Sequence, residues 1–222
     1  MFIPLKDLNP SRTYPFVNLT LILANITAFI YTIGLEVTLP RRTFEAFIFS
    51  YSTVPARFPA FLAGQASFEV SFVPLVTSMF LHAGFLHVAG NMLFLWIFGD
   101  NIEDFFGHLP YLFFYLVCGI GAGLLHVLFN LYSNVPALGA SGAISGVMGA
   151  YILLYPRARI LTLVFIFPLP VPAVIFLGLW YVMQFLSGIN ALGGGPSGGV
   201  AVWAHIGGFL LGMLLTGMVR RR

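Results

Sequence analysis

Three short polar groups interrupt an otherwise apolar sequence, and their residue types are those of acyl transfer. The first is L-G-A-S-G-A-I-S-G, residues 138–146, in which Ser141 opens an apolar run directly after two small residues. A serine at the start of a helix lies beside unpaired backbone N–H groups and the positive end of the helix dipole. Those groups can stabilise an oxyanion. The same stretch also reads as plain packing, because Gly142 and Gly146 form a G-x-x-x-G. The second group is A-H-I-G-G-F-L-L-G, residues 204–212, with His205 a few residues inside an apolar run and Gly208 and Gly212 permitting close helix approach. The third is H-A-G-F-L-H-V-A-G-N, residues 82–91. His87 and Asn91 are four apart and share one helix face, with His82 about a turn and a half earlier. Metal binding is the competing reading of this group, but no acidic or cysteine ligand lies within the run to complete a site. His126 and Cys118 read as packing residues.

These groups need elements to hold them. The chain has 222 residues, 59% hydrophobic and 8% charged. A chain so poor in charge needs lipid as part of its solvent, and nothing in it points to nucleic acid. Its apolar character runs from end to end, so one membrane domain over residues 1–222 is expected. A span takes about 20 apolar residues. Six fit, at about 15–34, 80–98, 109–131, 141–155, 173–187 and 200–218, giving an all-α polytopic bundle. Residues 35–79 mix phenylalanines with charges and read as a loop lying in the membrane interface, carrying short amphipathic helices. The N-terminus has no signal-peptide pattern, so the first run should be a span. Pro168, Pro170 and Pro172 interrupt the fifth run.

Six spans place both termini on one side. Seven of the ten basic residues (Lys6, Arg12, Arg157, Arg159, Arg220, Arg221 and Arg222) fall in the termini and even-numbered loops. Cytoplasmic termini are therefore expected, with the site facing outward. The fourth span, Ser141 to Tyr155, gives only about 22 Å of helix against about 30 Å of hydrocarbon. Its Ser141 end should then stop below the outer surface, at the floor of a wet dip, since a helix end within the membrane must be buried in protein or line a water-filled cavity. At that depth Ser141, His205 and His87 come together. All seven carboxylates lie outside the outer half of the spans, so a Ser-His dyad is what the sequence allows, without an acid.

At these residues the chain resembles the rhomboid family of intramembrane serine proteases. The resemblance rests on Gly139, Ser141 and Gly142 on the fourth span, on His82, His87 and Asn91 on the second, and on Ala204, His205 and Gly208 on the sixth. It runs from about Thr77 to Gly212. It implies Ser141 as nucleophile and His205 as general base. It also implies an oxyanion hole from the Ser141 N–H, His87 and Asn91, with His82, Gly139, Gly142 and Gly208 in supporting positions. The implied substrates are single-span membrane proteins cut in or near the membrane by a lipid-embedded enzyme that needs no metal or other cofactor. Ala173–Ser187 would act as a gate and Gly188–Gly199 as a lid. Some members stack an aromatic on the histidine from four residues after the serine; here that residue is Ser145, so His205 must be oriented by something else. The short tails suggest a minimal prokaryotic form in the plasma membrane. Two rivals differ in kind. A client-binding relative without activity typically lacks the serine or histidine, and both are present. A transporter predicts charge within the spans, and none is found there.

Overall fold

The computed structural model describes residues 2–192 and 201–220. Its long helices are α1 (Phe16–Thr38), α6 (Phe85–Phe106), α7 (His108–Phe129), α8 (Ser141–Leu154), α9 (Ala173–Leu192) and α10 (Val202–Arg220). Four of them, α1, α7, α9 and α10, are long and apolar enough to cross a membrane, and the polytopic helical character of the chain rests on them. A fifth candidate span is a bent pair, Phe68–Phe80 with Phe85–Phe106, broken by 79°. α8 is apolar but shorter, at 14 residues.

The surface is inverted relative to a water-soluble protein. Leu23 and Ile30 on α1, Leu86 and Trp96 on α6, Phe113 and Leu128 on α7, and Leu210 and Leu214 on α10 all face outward. Asn18, Asn25 and Thr32 are buried instead. A lipid-facing bundle sorts this way because tails solvate leucine and cannot satisfy an amide. α8 is the exception and the centre: every residue from Gly142 to Tyr151 is buried. Its glycines and alanines let neighbours close around it. A Cβ on Gly208 would stand 2.0 Å from the Gly142 carbonyl oxygen, and one on Gly212 would stand 2.0 Å from that of Gly146. Side chains there would force α10 away from α8.

The all-helical expectation misses one element. β1 (Phe2–Asp7), β2 (Arg159–Val164) and β3 (Phe167–Pro172) form an antiparallel sheet in the order β1-β2-β3. The prolines read as breaks in the fifth span are strand residues. Pro168, Pro170 and Pro172 recur every second position of the edge strand β3. Their nitrogens therefore all face the open edge, and the residues between them keep their N–H groups for β2. β1 is the other edge, with a register shift between Pro4 and Lys6.

This sheet, the α6–α7 turn and the end of α10 share one end of the bundle, where Arg220 donates to the Leu153 carbonyl at 2.8 Å. A polar cluster ties them together. Asp7 accepts from the Tyr151 hydroxyl of α8 and from the Asn101 amide of α6. The buried Glu103 carboxylate accepts from the backbone N–H groups of Val17, at 2.9 Å, and Asn18, at 2.7 Å. It thereby caps α1, whose own N-cap, Pro15, has no side chain able to do so.

At the opposite end lie α2 (Arg41–Tyr51), α3 (Arg57–Leu62), α4 (Phe68–Phe72), α5 (Pro74–Thr77) and a 3-10 turn at Ser78–Phe80. Arg57 braces this segment, donating to the Phe49 carbonyl at 2.8 Å and stacking over the Phe49 ring. Thr53 and Ala137 exchange backbone hydrogen bonds, and Gly139 N–H donates to the Ser78 carbonyl at 2.8 Å. The segment thus holds the extended strip that leads into Ser141.

Candidate active site

Three helices begin at that same end, and each brings one group. Ser141 is the first residue of α8, His205 lies in the first turn of α10, and His87 and Asn91 lie in the first two turns of α6. The glycine contacts between α8 and α10 set the spacing, and His205 Nε2 stands 2.7 Å from Ser141 Oγ. This is hydrogen-bond reach for a nucleophile and its base. The small-residue pattern around Ser141 is therefore both a packing surface and the support of the contact between Ser141 and His205.

The serine opens into a cavity of about 730 Å³ lined by His87, Asn91, His126, Trp180 and His205 among others. The Asn91 side chain is buried, and its amide nitrogen has no hydrogen-bond partner. A buried donor left open in this way is costly unless something occupies the cavity. His87 Nε2 lies against the backbone just before the serine: a Cβ on Gly139 would fall 2.8 Å from it. Gly139 has φ +124°, a conformation that only glycine adopts readily, so both its backbone and its neighbour exclude a side chain. The α8 N-cap is Ala140, which offers no side chain to cap the first N–H groups of the helix. His82 is buried and packs edge-on against His87, with ring centroids 5.0 Å apart. His126 lies closer to this chemistry than the sequence suggested. It lines the cavity and stands 3.5 Å from the Asn130 amide.

Two features were not legible in the sequence. Ser145 does not reach His205; its hydroxyl donates back to the Ser141 carbonyl at 2.6 Å. The imidazole instead meets α9, where Gln184 Oε1 lies 2.8 Å from His205 Nδ1 and the Trp180 ring sits 5.8 Å away. The other feature is the length of α9. It runs on to Leu192, through Gly188–Leu192, which the sequence reading had placed in a flexible lid. Gly188 is a contact residue here, since a Cβ would meet the Trp203 ring at 3.2 Å. The rest of the expected lid, including Gly193, Gly194 and Gly195, lies outside the described residues.

The chain matches the Rhomboid domain model over residues 69–222. It is 33% identical to Rhomboid protein 1, mitochondrial, of Saccharomyces cerevisiae over 157 residues, covering 68% of this chain and 42% of that protein. RHOMBOID-like protein 6, mitochondrial, of Arabidopsis thaliana is 37% identical over 148 residues, covering 64% of this chain and 41% of that protein. A bacterial relative, Rhomboid protease GluP of Bacillus subtilis, is 42% identical over 81 residues, covering 36% of this chain and 15% of that protein. The chain thus spans less than half the length of each of these relatives. With the domain match extending over more than half of the sequence, the chain belongs to the rhomboid family.

Proposed function

We propose that this protein is an intramembrane serine endopeptidase that cuts single-span membrane proteins in or near their transmembrane segments. The observation that carries the reading is the 2.7 Å contact between Ser141 Oγ and His205 Nε2 at the floor of an open cavity. His205 takes the Ser141 proton at Nε2 as Oγ attacks the scissile carbonyl. The oxyanion is met by the Ser141 N–H, the His87 ring and the otherwise unpartnered Asn91 amide. The proton then passes from Nε2 to the leaving amine, and water arriving through the cavity hydrolyses the acyl-enzyme. Since a helical peptide bond is hydrogen-bonded and shielded, the substrate must unwind locally to reach Ser141.

On this reading α6 and α8 complete a six-span bundle in a plasma membrane, with the termini in the cytoplasm and the cavity open to the outside. The gathering of the N-terminal strand, the α8–α9 connection and the end of α10 at one end of the molecule supports placing the two termini on the same side.

The test is cleavage of a single-span reporter by purified protein in detergent, beside Ser141→Ala and His205→Ala. Both substitutions should reduce cleavage by at least about 10³-fold, as removal of one member of a concerted nucleophile–base pair does. Equal cleavage by all three would overturn the reading. If the parent fails to cut the reporter, a fluorophosphonate probe decides: labelling lost on Ser141→Ala supports the enzyme, and no labelling supports a client-binding protein.

A further inference from the structure

A buried imidazole can serve as a base at Nε2 only if its proton sits on Nδ1, and in water-excluded surroundings that requires an acceptor at Nδ1. Serine proteases in water place a carboxylate there. Among the described residues no Asp or Glu lines the cavity that holds His205, and a buried charge there would be costly. Gln184 Oε1 occupies that position, 2.8 Å from His205 Nδ1. Trp180, one turn earlier on the same face of α9, brings its indole to 5.8 Å from the same imidazole. His205 is itself only 8% exposed, and both its nitrogens already have partners, Ser141 at Nε2 and Gln184 at Nδ1.

On the reading of Ser141 and His205 as a dyad, we infer that Gln184 is the positioning residue for the base: its carbonyl oxygen accepts the Nδ1–H, fixes the tautomer and aims Nε2 at Ser141. During attack the Ser141 proton moves to Nε2 while the Nδ1 proton stays in place, donated to Gln184. The amide supplies direction without a formal charge. Because Gln184 lies on α9 and His205 on α10, the base is aimed only while these two helices lie together. α9 buries just Ala173, Phe176, Leu177 and Gly188, three of them in its first two turns, so the Gln184 contact is one of few anchors along its second half.

The test compares the parent, Gln184→Leu and Gln184→Glu in detergent. Leucine keeps the helix and the bulk but removes the acceptor; glutamate keeps an acceptor at the same reach. In Gln184→Leu the turnover of the reporter and the rate of fluorophosphonate labelling should each fall by about tenfold or more, with KM unchanged, because the group acts on the base and not on substrate binding. Gln184→Glu should recover most of that loss. Ring-¹⁵N spectra of His205, assigned by difference against His205→Ala, should show the Nδ1-protonated tautomer in the parent and in Gln184→Glu, and a mixture in Gln184→Leu. Unchanged turnover in Gln184→Leu, or an unchanged tautomer, would overturn the inference. If the parent neither cuts nor labels while the tautomer still changes in Gln184→Leu, the protease reading falls and the orienting contact stands.

Discussion

Polar residues collect at both ends of this bundle, and the two clusters are built differently. At the sheet end each acid is provided with donors. Asp7 has Tyr151 and Asn101, Glu103 has two backbone N–H groups and His108, and Asp104 accepts from the Thr13 N–H at 3.0 Å and its hydroxyl at 2.7 Å. At the cavity end the Asn91 amide nitrogen is buried and unpaired, and α8 begins without a capping side chain. A satisfied cluster stabilises the fold and has nothing left to offer a ligand. An unsatisfied one subtracts from stability and recovers that loss when a substrate oxygen arrives. Buried polarity in a membrane protein therefore carries two meanings, separated by counting partners.

Substitutions can break or sharpen that contrast. The largest effect is expected from Gly208→Leu, because a side chain there meets backbone that cannot move aside. Overpacking of this kind costs about 1–3 kcal/mol or more. It should also part Ser141 from His205, so cleavage should drop to background together with a lower melting temperature. Asn91→Ala should separate the two quantities: on the proposed oxyanion role, kcat is expected to fall by about 10²-fold. The melting temperature should hold or rise, since the lost group had no partner. A fall in both would place Asn91 with the structural cluster.

Glu103→Ala should do the reverse. It uncaps α1 and leaves two N–H groups unpaired, that of Asn18 buried, for an expected loss of about 1–3 kcal/mol. Cleavage per folded molecule should be unchanged. The smallest effect concerns pH. Burial pushes the Asp7 carboxyl up from 3.8 to about 6, against the lowering by Tyr151 and the Asn9 N–H. The folded chain thus holds this proton more tightly than the unfolded chain does, so Asp7 makes stability fall as pH rises from about 4 to about 6 and level off above. In Asp7→Asn that decline should shrink, measured as melting temperature across the window. An identical slope would show that Asp7 is not its source.

Much of the site could be read from the sequence because its residues are chemically out of place. A serine opening a short apolar run and histidines near the starts of two others stand out against leucine and phenylalanine, and the structure sets Ser141 and His205 within a hydrogen bond. Gln184 did not stand out. It sits in the middle of LGLWYVMQFLSG, 21 residues from the histidine it meets, and no spacing rule links positions on different helices. The sheet was hidden for another reason. Three alternating prolines read equally as a broken helix or an edge strand, and the sheet they join is completed by β1, which lies near the N-terminus and pairs with β2. The role of Glu103 was hidden as well, because capping a helix from another helix leaves no local pattern.

The N-terminal strand also imposes an order of assembly. Asp7 is separated from Tyr151 by 144 residues of chain, and β1 pairs with a strand that follows α8. During synthesis β1 is made long before its partner strand β2. The strand that carries Asp7 can thus join the sheet only once the chain has been made through β2, so a ribosome stalled before residue 159 would hold β1 without the strand that fixes it, whatever else had already inserted.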